Sequence, residues 1–146
     1  MGDFHLTPLR GCGTALVTPF TAAGTVDEPA LRAIVEWQIA EGIDFLVPCG
    51  STGEAATLAI EEHLRVVAIT AEAAAGRVPV IGGAASNDTK KAIALSRLVI
   101  DAGATHLLHA SPMPSRGRLS CTMSRRARRA IWRRPPRSHS LRIRTS

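Results

Sequence analysis

The sequence predicts an α/β fold on a parallel sheet, and three observations carry that prediction. Four short, β-branched or apolar runs recur between residues 14 and 110. Longer stretches with helical period separate them. The runs are near-continuously apolar instead of alternating, the pattern of strands with both faces covered. The order is strand, helix, strand, helix, strand, helix, strand, and right-handed crossovers would lay the four strands side by side. Two architectures share this pattern: a small open doubly wound sheet, and the N-terminal half of an eight-stranded (β/α)8 TIM barrel, whose usual length is about 250 residues.

Each element has its own warrant. TALVTP (14–19) is the first strand run. In the first helix Leu31, Ile34, Val35, Gln38 and Ile39 follow the i, i+3, i+4 spacing of one helical face. Asp27 is an N-cap, Pro29 fits the first turn and Gly42 ends the helix. Trp37 is expected to pack into the outer helical layer, with Asp27, Glu28, Glu36 and Glu41 on a solvated face. DFLVPC (44–49) is the second strand run. The second helix covers about 60–74, with Leu64, Val67 and Ala68 on one side and Gly76 beyond its end. VPVIGG (78–83) precedes a third helix over about 89–101, apolar at Ile93, Ala94, Leu98 and Ile100. Asn87 or Asp88 can cap that helix and Gly103 stops it. THLLHA (105–110) is the fourth run.

The 146 residues leave room for one domain. The formal charge of +6 hides a division. Residues 1–113 hold seven basic and all twelve acidic side chains, a net −5, whereas 114–146 hold eleven Arg and no acid. The chain therefore divides into a domain over 11–113 and an Arg-rich tail over 114–146. Arg without Lys, among Ser, Pro and Ala, fits a shifted reading frame in a GC-rich gene. A nucleic-acid arm would use the same charge through counterion release, with Trp132 for stacking. No folded reader motif accompanies it. A surface helix over 124–134 has too thin an apolar stripe, and its i, i+4 Arg pairs repel. The favoured reading is a disordered, frameshifted or non-native tail.

Cys12, Cys49 and Cys121 lie far apart, which suggests neither a disulfide framework nor a zinc site and points to the reducing cytoplasm. No apolar run approaches the roughly 20 residues of a membrane span, and the start lacks signal-peptide character. His106 and His109 fall on opposite strand faces and make a poor metal pair, so each is expected to line a core or pocket. Cys49 reads as a small buried residue. Glu61, Glu62 and His63 do not form HExxH. No metal and no cofactor are expected.

The second strand run leads into PCGSTGEAATL (48–58), where Gly50 and Gly53 bracket Ser51 and Thr52. The glycines are expected to adopt backbone conformations that a side chain would forbid, and to let a small anion reach the intervening N–H groups. Two hydroxyls at the C-terminal end of a strand suit a small carboxylate. The order is not GxSxG, and the turn has neither the length nor the Lys of a P-loop. From spacing alone, a tight βα turn with a capping hydroxyl stays open beside the ligand-binding reading.

Residues 11–113 resemble the N-terminal part of the dihydrodipicolinate synthase / N-acetylneuraminate lyase family of Schiff-base aldolases. ALVTPF (15–20), VPCGSTGEAATL (47–58), EEH (61–63), GRVPVIGGAASNDT (76–89) and GATHLLHASP (103–112) carry the resemblance, in order and at the family's spacing. It implies half of a (β/α)8 barrel and pyruvate as substrate, bound as an imine to a Lys at the end of a sixth strand. It also implies a carboxylate grip by Thr52, a proton-relay position at Ser51, a turn shaped by Gly50 and Gly53, and structural support from Glu54. The synthase branch condenses the pyruvate enamine with aspartate semialdehyde on the way to diaminopimelate and lysine. N-acetylneuraminate lyase and sugar-acid aldolases or dehydratases are the alternatives within the family; a basic-tailed nucleic-acid-binding protein is the alternative outside it.

The departures from the family are as informative. Pro114 stands where a relay Tyr belongs, and the chain has no Tyr. Its only lysines, Lys90 and Lys91, open the third helix, where they are expected to face solvent. The resemblance thus implies a truncated chain, inactive alone, that does not assemble the family homotetramer normally. Two unpaired sheet edges and an apolar inner face are expected to cause self-association.

Overall fold

A computed structural model describes residues 9–110. The elements follow the expected order: β1 (Gly13–Ala15), α1 (Glu28–Ala40), β2 (Phe45–Val47), α2 (Ile60–Ala74), β3 (Ile81–Gly83), α3 (Thr89–Asp101) and β4 (His106–Leu108). The expectations for the tail and for Pro114 lie outside the described residues.

The helix ends obey local chemistry. The Asp27 carboxylate accepts the Ala30 N–H at 3.0 Å, and Pro29 occupies the first turn of α1. Asp88, not Asn87, caps α3 by accepting the N–H groups of Lys90 (2.8 Å) and Lys91 (3.3 Å). Ala59 is the N-cap of α2, and its N–H donates to the Glu62 carboxylate at 3.0 Å. Its left-handed stop begins one residue before the expected Gly76, at Ala75 with φ +49°.

β1 pairs in parallel with β2, placing Ala15 beside Val47, and β3 pairs in parallel with β4, placing Gly83 beside Leu108. The two pairs meet through a parallel bridge between Leu46 and Val80. The Leu46 N–H donates to Pro79 at 3.0 Å, and the Gly83 N–H donates to Pro48 at 3.1 Å. The strands thus lie in the order 1-2-3-4, each regular for three residues within its longer apolar run.

The helices cover one face of this sheet. Leu16, Leu46 and Val80 pack with Val35, Ala73 and Ala74 in one buried cluster. Leu31, Val66, Val67, Val99 and Ala104 form the core of a second. The expectation of double burial holds at β3, where Val80 and Ile81 are both buried, and fails on the other face of the remaining strands. Alternation from buried Leu16 turns Ala15 and Val17 to that side, where Ala15 is exposed and Val17 is 49% exposed. Phe45 and Val47 are half-buried there, and Leu108 is 46% exposed. The strand sequences are written for two covers; among the described residues only the helical one is present.

The helix faces also correct the sequence reading in detail. Trp37 is 59% exposed because it lies two residues from buried Val35, on the opposite side of α1. On α2 the buried stripe runs through His63, Val66, Val67, Thr70, Ala73 and Ala74, while Leu64 and Ala68 sit at its half-buried margins. On α3 only Val99 is fully buried, and Ile93 and Leu98 are exposed. Val99 packs against Gly82, where an added Cβ would lie 2.3 Å from its Cγ1. Arg–Glu pairs line the outer face: Arg65 with Glu28, Arg32 with Glu72, and Arg77 with Glu36.

Candidate functional site

β2 delivers the chain to its C-terminal rim at buried Pro48 and Cys49. The backbone then turns sharply. The Gly50 carbonyl accepts the N–H groups of Gly53 (3.1 Å) and Ala55 (3.4 Å). The Ser51 carbonyl accepts from Glu54 (3.2 Å), and the Thr57 hydroxyl donates to the Glu54 carbonyl (2.9 Å). Glu54 thus belongs to the turn's own hydrogen bonding.

Gly50 and Gly53 were expected to supply the unusual backbone, but the left-handed residues are their outer neighbours, Cys49 (φ +55°) and Glu54 (φ +54°). The two glycines differ from each other. A Cβ on Gly50 would meet nothing within 4 Å. A Cβ on Gly53 would lie 2.9 Å from the Leu16 carbonyl, and the buried Thr18 hydroxyl donates to Gly53 O at 2.8 Å. Gly53 is therefore required for close packing on the chain that follows β1, not for its φ.

Ser51 and Thr52 are both exposed, and their N–H groups and hydroxyls donate to nothing among the described residues. A cavity of about 530 Å³ opens beside the turn. Cys49, Gly50 and Ser51 form one wall, with His63 from α2, Leu95 from α3 and His109 after β4. Thr52 and Gly53 are not part of that lining. The structure thus brings Gly50 and Ser51 to the cavity and leaves Thr52 on the open rim. His109 is pocket-lining, as expected, with its Nε2 3.2 Å from the Ser96 hydroxyl.

Two residues stand behind the turn to which the sequence assigned no part in it. His63 is 5% exposed, and its Nε2–H donates to the Gly83 carbonyl at 2.8 Å. Its own carbonyl accepts the Cys49 thiol at 3.5 Å. Gly83 presses so closely on the turn that an added Cβ would fall 1.9 Å from the Cys49 carbonyl oxygen. The signal was present as the EEH flank and the terminal glycine of VPVIGG, but nothing local couples residues 49, 63 and 83. Burial pushes the Cys49 thiol up to about 12, which leaves it an inert packing group.

Lys90 and Lys91 are exposed on the first turn of α3, as expected. No helix among the described residues is long and apolar enough to cross a membrane. The nucleic-acid reading rests wholly on 114–146, outside the described residues.

A parallel βα arc with a hydroxyl-bearing turn at a strand's C-terminal end is part of a (β/α)8 barrel, the class whose chemistry sits at that rim. The chain belongs to the dihydrodipicolinate synthetase family, whose pattern matches residues 8–118. It is 56% identical over 105 residues to the 4-hydroxy-tetrahydrodipicolinate synthase of Koribacter versatilis, covering 71% of this chain and 35% of that protein. Against the enzyme of the same name from Maridesulfovibrio salexigens it is 54% identical over 103 residues, again covering 35% of the relative. The structure aligns with the Methylacidiphilum fumariolicum SolV synthase at TM-score 0.71 and 39% identity, over 74% of this chain and 37% of the other. It aligns equally, at 38% identity, with the Acinetobacter baumannii dihydrodipicolinate synthase solved with pyruvate, covering 73% of this chain and 37% of that one. The chain thus spans about a third of the length of the relatives it matches.

Proposed function

We propose that residues 9–110 carry the pyruvate-carboxylate turn of an imine-forming lyase of the 4-hydroxy-tetrahydrodipicolinate synthase type. The observation that carries this reading is the pair of free N–H groups and hydroxyls at Ser51 and Thr52, held on a hydrogen-bonded turn at the rim of β2. Such donors stabilise a carboxylate without a competing side chain. In this reading Thr52 grips the carboxylate through its N–H and hydroxyl. Ser51 holds the proton-relay position, and Gly50 and Gly53 let the backbone approach.

The chemical step needs an amine next to that carboxylate. The chain's lysines, Lys90 and Lys91, have their N–H groups committed to the Asp88 cap and their side chains in solvent. The 146-residue chain is therefore expected to bind pyruvate weakly and to form no imine.

The test is a pyruvate titration of the isotopically labelled chain followed by NMR, paired with borohydride treatment and protein mass measurement. Amide shifts concentrated at Ser51 and Thr52, weakened by Thr52→Val, support the reading. Shifts elsewhere, or none up to tens of millimolar (a weak-binding ceiling of about −2 kcal/mol), reject the carboxylate grip. A borohydride-stable pyruvate adduct would reject the absence of a working amine.

A further inference from the structure

We propose that Thr18 is the positioning residue of the carboxylate turn: its buried hydroxyl latches the peptide between Gly53 and Glu54 in a strained orientation that aims the Thr52 N–H outward. The latch stands on the geometry alone; its consequence for binding rests on the pyruvate reading.

The turn stores strain at two points. Cys49 (φ +55°) and Glu54 (φ +54°) hold left-handed backbone, which residues with side chains rarely adopt. Rotating a planar peptide unit by half a turn changes only the dihedrals on either side of it. For the Gly53–Glu54 unit that rotation carries Glu54 to a φ of about −126°, inside the broad extended region. Gly53 accepts the matching change in ψ because it has no Cβ. The strain at Glu54 can therefore escape through a single peptide unless something holds it.

Each left-handed residue is preceded by a carbonyl that is held. The Pro48 carbonyl accepts the Gly83 N–H at 3.1 Å. The Gly53 carbonyl accepts the Thr18 hydroxyl at 2.8 Å, across 35 residues of sequence. The first latch is backbone on backbone, and the second is a side chain. Thr18 is 6% exposed and Gly53 is buried, so water is poorly placed to substitute for the hydroxyl. The neighbouring units are tied down separately. The Gly53 N–H donates to the Gly50 carbonyl at 3.1 Å, and the Glu54 carbonyl accepts from the Thr57 N–H and hydroxyl, each at 2.9 Å. A flip is thus confined to the one unit that Thr18 holds.

The latch reaches the ligand-facing donor in two steps. The Glu54 N–H, on the opposite side of the latched peptide from the Gly53 oxygen, donates to the Ser51 carbonyl at 3.2 Å. That carbonyl shares its peptide with the Thr52 N–H, and a trans unit points the two in opposite directions. Holding the Ser51 oxygen inside the turn therefore turns the Thr52 N–H out of it. The two aligned bonds also polarise the Thr52 N–H in the sense that favours an anion. After a flip, the Gly53 oxygen would face the Ser51 oxygen. The two repel, so the Ser51–Thr52 peptide would swing and carry the Thr52 N–H off its aim.

NMR on the isotopically labelled full chain separates the latch from the ligand. A left-handed residue gives a strong Overhauser effect between its own Hα and N–H, and Glu54 should show one in the unsubstituted chain. Thr18→Val keeps the side-chain volume and removes the donor. It should abolish that signal at Glu54, leave the one at Cys49, and raise the pyruvate dissociation constant read at the Thr52 amide by about fivefold or more. Thr18→Ser, which keeps the hydroxyl, should preserve both the signal and the affinity. In a Glu54→Gly chain no strain waits for release, and Thr18→Val should there weaken pyruvate binding by no more than about twofold. A Glu54 signal absent from the unsubstituted chain, one that survives Thr18→Val, or one lost in Thr18→Ser would overturn the latch whatever pyruvate does. The expected Glu54 pattern with no pyruvate shifts at all would uphold the latch and reject the carboxylate reading instead.

Discussion

Three glycine-to-alanine substitutions probe how the turn is built, and their effects should rank by backbone crowding and not by proximity to the hydroxyls. Gly83→Ala is the severe one. Its Cβ would lie 1.9 Å from the Cys49 oxygen and 2.6 Å from the Cys49 carbonyl carbon, backbone atoms with no rotamer to escape through. Relieving that contact needs a shift of roughly an ångström or more between β2 and β3. Such a shift lengthens the Gly83 N–H to Pro48 bond from 3.1 Å beyond hydrogen-bonding range, and strains the buried His63 bond to Gly83 O. Overpacking costs about 1–3 kcal/mol, and an impaired buried hydrogen bond about 1 kcal/mol more. The expected loss is about 3 kcal/mol, roughly a hundredfold in the folding equilibrium. Gly53→Ala should fall between, since its closest neighbour is Leu16 O at 2.9 Å. Gly50→Ala meets nothing within 4 Å and should stay within about 0.5 kcal/mol. Urea denaturation by circular dichroism at one fixed protein concentration gives the midpoints, and m converts them to free energies. A silent Gly83→Ala, or a Gly50→Ala worse than Gly83→Ala, would refute the account of the turn.

Two further outcomes concern titration. Burial raises the Cys49 thiol to about 12 from an unfolded value of about 8.5; the neutral buried thiol therefore contributes stability in full below pH ~8.5, and that contribution is lost progressively as pH rises toward 12. Cys49→Ala should flatten this alkaline decline, and a thiol reagent near pH 8 should label exposed Cys12 while leaving Cys49 untouched until denaturant is added; equal labelling of both in the native chain contradicts the burial. The Arg77 guanidinium hydrogen-bonds the Glu36 carboxylate and lowers its pKa, as Arg65 does for Glu28. Both contributions are present above the ordinary carboxylate value of about 4.3 and fade as pH falls through the lowered one. Glu36→Gln should make the acid limb of the stability profile shallower, by a small amount that vanishes in high salt, because these pairs are exposed; an unchanged acid limb at low salt removes Glu36 from the account.

The correspondence between sequence and structure is uneven for physical reasons. Helix bounds were legible because their signals are local. Asp27 and Asp88 sit one residue before the helices they cap, and Gly42 and Gly103 follow the ends they stop. The Gly50–Gly53 turn was legible as a place, since two glycines around two hydroxyls after an apolar run have few other uses. Its internal workings were not. Nothing in 48–58 says that Cys49 and Glu54 take the left-handed backbone, that Ser51 borders the cavity while Thr52 does not, or that His63 and Gly83 support the turn from behind.

The sequence by itself determined which segments are helix and strand, their parallel order, and the family, because capping, periodicity and short motifs act over a few residues. Only the tertiary structure decided which glycine is indispensable and which face of the sheet the described helices cover. Those properties depend on backbones 33 to 34 residues apart coming within van der Waals reach, as at Gly83 with Cys49, and on which side of each strand the helices settle.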